Sequence, residues 1–165
     1  MHRSTVLLVA FAVACAHVPS SSDYANVLRE ARKYRFADLP VLPASAPIDR
    51  FHVDSYGRKP PDALLRAAHA TNLTTRDLAA ALALARIPMI GEDQMVSARH
   101  GAISFSWPVF DAGIKQALVF SCRRIVTNEP GDEFYDHVCA DESAYVLRRD
   151  GSGWVVVDSF TVHID

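Results

Sequence analysis

The apolar residues change their period once along this chain, and that change limits the fold more than any other feature. Before Pro88 they return every three or four positions, as on one face of a helix. From Gly101 onward they alternate, with Ile103, Phe105 and Trp107 set against Ser104 and Ser106, the pattern of a half-buried strand that Pro108 limits. Helices in the first half and strands in the second predict an α+β domain, with N-terminal helices packed on a C-terminal antiparallel sheet.

Spacing then assigns the elements. Tyr24, Val27-Leu28, Ala31 and Tyr34 make residues 24–36 an amphipathic helix that Asp23 can cap. Prolines 40, 43 and 47 keep the next stretch irregular, wrapping across a surface. Residues 48–56 read as extended. A helix opening at Pro61-Asp62 carries Leu64, Leu65 and Ala68 as its stripe. Thr74 with Asp77 resembles a capping box, and Leu73 with Leu78 a hydrophobic staple, for an alanine-rich helix running to Ile87. Its inner face is Leu78, Ala81, Leu82 and Ala85. Gln116–Thr127 is a second strand with Leu118, Phe120 and Cys122 on one face, and Pro130-Gly131 turns the chain. Asp150-Gly151-Ser152-Gly153 joins strands 145–149 and 154–163 as a hairpin. Trp154–Val157 is apolar on both sides, so that strand lies centrally or under a helix, either the one at 24–36 or the alanine-rich one.

Half of the 165 residues are apolar and 22% are charged, a globular composition with enough chain for one core. The net charge is −2, and cations occur in runs no longer than Arg58-Lys59, Arg123-Arg124 and Arg148-Arg149. Without a basic stripe the composition gives no nucleic-acid footprint.

The N-terminus carries an address. Met1-His2-Arg3 is a basic start, and residues 4–14 form an apolar run too short to span a bilayer but long enough for a secretion signal. Three exits fit: cleavage after Ala14, cleavage after Ala16, or lipoprotein processing. For the third, Ala12-Val13-Ala14-Cys15 resembles a bacterial lipobox, departing from the usual pattern at Ala12, where leucine is common. That resemblance implies an acylated Cys15 as the mature N-terminus, and Ala16 after it implies the outer membrane rather than inner-membrane retention. Plain periplasmic or secreted residence is the alternative. The resulting division is signal 1–14, lipid-anchored tether 15–22 and domain 23–165.

Three cysteines are an odd count for an oxidising compartment. Acylating Cys15 leaves Cys122 and Cys139 as an even pair, and a reversal near Pro130 brings them within reach of a disulfide. Two separate buried thiols are the rival.

Chemistry has few candidates. His52 and Asp54 share one side of an extended stretch, and Asp136, His137 and Asp141 cluster near Cys139, yet either set also fits a solvated polar surface. A Cys122 or Cys139 pairing with His137 as nucleophile competes with the disulfide. His69 and His100 lack a nearby acid. Nucleophile-elbow, HExxH, P-loop and dinucleotide motifs do not occur, so the expectation is no catalytic residue, no metal and no cofactor. Phe105, Trp107 and Phe110, with Asp136, His137 and Asp141, are the candidate interaction residues, and the rival account has Phe105 and Trp107 facing the core on a strand. In broad layout the chain resembles lipoproteins that guard a bacterial periplasm against toxic effectors. The expectation is an envelope lipoprotein that binds a protein as an inhibitor, with an assembly role as alternative and a hydrolase behind both.

Overall fold

The computed structural model describes residues 18–48, 51–53, 58–97, 101–126, 137–151 and 153–164. The signal, Cys15, Asp54, His100, the Pro130 turn and Asp136 lie outside the described residues, as do the side chains of His52 and His137.

The first helix, α1 (Ser21–Arg35), starts earlier than the apolar period suggests. Ser20 is its cap. The Ser20 hydroxyl accepts the Asp23 N–H at 3.2 Å, and the Asp23 carboxylate accepts the Ser20 N–H at 3.0 Å. This reciprocal box satisfies two donors that a helix start leaves orphaned. Asp23 is therefore the third helical residue rather than the cap, and the serines expected in a tether form the first turn.

The proline-bearing segment 40–48 does not wrap an outer surface. Val41, Leu42 and Ile48 are buried. The segment runs parallel to strand β2 (Ala102–Phe105), with Leu42 N–H donating to Ile103 O at 2.8 Å and Ile103 N–H to Pro40 O at 2.9 Å. Ala46 N–H donates to Phe105 O at 2.9 Å. On its other side Val41 N–H reaches Pro88 O, and Pro43 O accepts Leu78 N–H. Proline lacks a donor, so Pro40 and Pro43 fit where only an acceptor is needed. The result closes the edge of β2 against further pairing.

Helix α2 (Asp62–Thr71) follows its predicted stripe, burying Leu64 and Ala68. Helix α3 (Ala79–Ala85) is shorter than predicted. Thr74 takes no part in a capping box, and Leu73 is 54% exposed rather than stapled to the buried Leu78. Residues 76–78 instead hydrogen-bond to the 43–45 stretch: Ser45 N–H donates to Arg76 O, and Arg76 N–H to the Ser45 hydroxyl, both at 2.8 Å. Those tertiary bonds hold the backbone out of helix until Leu78. Asp77 Oδ1 then accepts the Ala79 N–H at 2.8 Å. At the far end Arg86 turns left-handed (φ 57°), ending the helix before Ile87. The inner face of Leu78, Leu82 and Ala85 is buried as the spacing implied, packed on α1. A 3₁₀ turn covers Glu92–Ser97.

Strands β1 (Phe51–Val53), β3 (Val109–Phe110), β4 (Gln116–Val126), β5 (His137–Asp150) and β6 (Gly153–Ile164) complete an antiparallel sheet in the order β1-β6-β5-β4-β2, with β3 also on β4. The domain is α+β, its helices mostly preceding the sheet. Two bulges, at Arg123/Arg124 and Val146/Leu147, shift the register. Gly101 is left-handed (φ 82°), and a Cβ there would run into the Arg124 carbonyl, so glycine is required where β2 enters beside β4.

Each face of the sheet carries a helix. Ala117, Val119, Tyr145, Leu147 and Trp154 meet Val27, Leu28 and Ala31 of α1, with α3 behind. On the other face Leu118, Phe120, Ala144, Val146, Phe160 and Val162 meet Leu64 and Ala68 of α2. The half-buried reading of β2 is thus corrected: Ser104 and Ser106 are buried as deeply as Ile103 and Phe105. Buried hydroxyls need partners, and the Ser106 hydroxyl accepts the Phe120 N–H at 2.9 Å. Strand β6 lies under α1 on one face, but Val155 and Val157 are exposed on the other.

Candidate functional site

The long strands give the domain two ends, and the predicted interaction residues divide between them. At the hairpin end, where β5 turns into β6, aromatic rings gather at the start of α1. Tyr24 lies 5.0 Å from Trp107 and 5.0 Å from Phe110, and Phe110 lies 5.5 Å from Trp154. Trp107 and Phe110 are partly exposed, whereas Phe105 is fully buried in the core and unavailable to a partner. Pro19, Tyr24, Thr71, Arg76, Trp107 and Phe110 are among the walls of an open groove of about 410 Å³. The Arg76 guanidinium sits 5.6 Å over the Trp107 ring.

Asn72 holds the groove together. Wholly buried at the end of α2, its Oδ1 accepts the Trp107 N–H at 2.6 Å and its Nδ2 donates to Trp107 O at 3.1 Å. The amide replaces the ladder partners that Trp107 loses where Pro108 breaks the strand. Beneath lies Asp23, 5% exposed, accepting the Trp154 indole N–H at 3.1 Å with Arg149 3.4 Å away. Burial alone would raise the Asp23 pKa. Hydrogen bonds from Ser20 and Trp154, with the Arg149 charge, outweigh it and hold the carboxyl below its ordinary value.

The opposite end carries the disulfide and Asp141. Cys122 and Cys139 are bonded, with α-carbons 5.4 Å apart across β4 and β5. Plain alternation would put position 139 on the face away from Cys122. The bulge at Arg123/Arg124 pairs Cys139 with Arg124, and so returns it to the Cys122 face. Cys122 is buried, while Cys139 is exposed. Beside the pair opens a cleft of about 310 Å³ lined by Ser45, Thr75, Ser104 and Arg124, among others.

Asp141 stands between two guanidiniums. Arg35 Nη2 donates to Oδ1 at 3.2 Å, and Arg123 Nε lies 3.2 Å from Oδ2 without aiming its N–H along that line. Arg35 also donates to the Ser143 hydroxyl at 2.7 Å, so this charged cluster is fixed from the end of α1. A third of the Asp141 side chain remains exposed, leaving carboxylate and cations open to a partner. Deeper in, Tyr145 is fully buried against Tyr34, with ring centres 5.7 Å apart, and burial raises its pKa.

Sequence reasoning singled out Trp107, Phe110 and Asp141 as candidate interaction residues but missed their supports. Tyr24 was visible only as a helix-stripe residue and Arg123 only as half of a short cationic run. Nothing local in the sequence could pair Asn72 with Trp107 across 35 positions. Among the described residues no group of three or more histidine, cysteine, aspartate or glutamate side chains could hold a metal ion. No protein-family model matches this chain, nor does any curated protein or solved structure.

Proposed function

We propose that this chain is a bacterial envelope lipoprotein, held on the periplasmic side of the outer membrane by an acylated Cys15, which acts as an inhibitor by binding a toxic effector protein. The observation that carries this reading is the separation of its two ends. The chain enters the domain at Pro19, beside the hairpin end. The Arg35–Asp141–Arg123 cluster lies at the other end of α1, whose fifteen residues span about 22 Å at ~1.5 Å per residue, and the disulfide is two residues further along β5. An anchor at the first end presents the second to the periplasm. There a covalent cross-link and a fixed charge arrangement supply the preorganisation that binding rewards.

Cell fractionation tests the anchor. Cys15→Ser releases the protein from membranes into the soluble periplasm, and unchanged partition with membranes defeats the proposal. Affinity capture from envelope extracts tests the binding. Asp141→Arg lowers recovery of the partner by about tenfold or more, the scale of a misplaced charge in an interface. Capture of an exported toxin supports inhibition. A secretion or envelope component in its place makes the role one of assembly, and recovery insensitive to Asp141→Arg removes the disulfide end from the interface.

A further inference from the structure

Pro19, which lines the aromatic groove, comes only four positions after Cys15. A chain extends at most ~3.3–3.6 Å per residue, so Pro19 lies within about 14 Å of the Cys15 α-carbon. On the reading of Cys15 as acylated, the groove is therefore confined to the layer of phospholipid headgroups or its immediate border, since a headgroup region adds about 5–8 Å on each side of the hydrocarbon.

The chemistry of this end suits that layer. Tyr24 and Trp107 are partly exposed rings with one polar atom each, the kind that settles between hydrocarbon and water. Val18 is 83% exposed and Leu73 54% exposed on the flanking segments. Cations stand around them: Arg76 over Trp107, and Lys115, Arg148 and Arg149 exposed about the hairpin. The neighbouring carboxylates each accept a hydrogen bond from the chain's own donors. Asp111 Oδ1 accepts the N–H groups of Lys115 and Gln116, Asp77 that of Ala79, Asp150 that of Gly153, and Asp23 the Trp154 indole. What faces outward is apolar and aromatic surface ringed by guanidinium and ammonium groups, with the Asp77 and Asp150 carboxylates also exposed among them.

We propose that the groove between Pro19 and Trp107 is a membrane-contact surface that seats the domain on anionic phospholipid headgroups, with Trp107 entering the interface and Arg76 meeting phosphate. Seating fixes the tilt of the domain, so the disulfide end points away from the bilayer instead of swinging on a short tether. Long basic side chains lie along such a surface with their charge at the phosphates and their methylenes on the apolar part.

The test uses the full mature protein extracted from membranes, its acyl chains verified by intact mass, in phosphatidylcholine vesicles containing about a third phosphatidylglycerol, a charged-lipid surface of the kind that attracts basic segments. Lipids brominated near the headgroup quench tryptophan emission on contact. Trp107 is the reporter, and Trp154, 4% exposed, is the internal control. The expected result is emission lower than in unbrominated vesicles, a difference that disappears in Trp107→Phe and persists when inorganic phosphate is added at constant ionic strength. Equal emission in both vesicle types, or quenching retained by Trp107→Phe, overturns the proposal. Loss of quenching with inorganic phosphate makes the groove a free-phosphate site instead.

A second arm uses the unacylated Cys15→Ser chain, whose bound fraction on the same vesicles falls about fivefold per cation removed, as in Arg76→Gln. No fall overturns the role of Arg76, and captured protein partner lost in Trp107→Phe assigns the groove to a protein. The two readings fail separately. A Cys15→Ser chain that stays on cell membranes defeats the anchor, whereas an acylated chain with unquenched Trp107 defeats the groove.

Discussion

Single residues in this domain work by closing gaps that the backbone opens. Asn72 is the sharpest case, because its one amide serves both polar groups of Trp107 at the point where Pro108 ends the strand. Asn72→Ala leaves those groups without their partner in a partly buried place, at a cost of about 1–3 kcal/mol. Urea unfolding measures it, and a loss near zero means that water replaces the amide. Asp23 is different, because its value depends on charge. Its folded pKa is depressed, so the stability it contributes is complete above the unfolded carboxyl value of about 3.9 and is lost as pH falls through the lower folded value. Asp23→Asn is therefore less stable than the parent at neutral pH, and the gap narrows on acidification below pH ~4. A gap independent of pH removes the charge of Asp23 from the account. Neither role is visible from residue type alone, since an asparagine before Leu-Thr and an aspartate near a helix start each fit several local structures.

At the scale of elements, the contest between local signal and tertiary bonding is clearest from Leu73 to Leu78. Thr74, Asp77 and the flanking leucines look like a helix start, yet the 43–45 stretch competes for the same backbone and pairs with Arg76 and Leu78. A cap contributes about 1 kcal/mol, and the three hydrogen bonds to that stretch, two of them backbone to backbone, exceed it while burying Leu78. Thr74→Ala is accordingly silent, within about 0.5 kcal/mol. Asp77→Ala costs about 1 kcal/mol through the lost bond to Ala79. Denaturant midpoints for the two variants check both, and the reverse order would restore the helix start at Thr74. The first helix shows agreement instead. There Ser20 and Asp23 act within one turn, and β6 meets Asp23 through the Trp154 indole rather than by backbone pairing, so the local box survives in the fold.

For the whole molecule, the sheet held between α1 and α2 is fastened at one end by the disulfide. Cross-linking residues 17 apart contributes about 3 kcal/mol in the chain-entropy account. Reduction lowers unfolding stability by that order, and only the reduced domain alkylates at two sites. Because Cys139 is exposed and Cys122 buried, a limiting thiol attacks the Cys139 sulfur, and peptide mapping finds the mixed disulfide there. Mapping to Cys122 would contradict the burial order. Period and turn chemistry by themselves determined the class of the fold, the stripe of α2, the inner face of α3, the hairpin at Asp150–Gly153 and the partnership of the two cysteines. These follow from contacts a few residues apart, or, for the cysteines, from a chain reversal expected between them. Tertiary structure alone decided that the proline segment closes an edge, that Ser104 and Ser106 are buried, that β1 joins β6, and that Trp107 reaches the groove. A strand's alternation reveals that its two faces differ or agree, but not what covers each. That depends on partners far away in sequence, and burial is a property of the assembled layers.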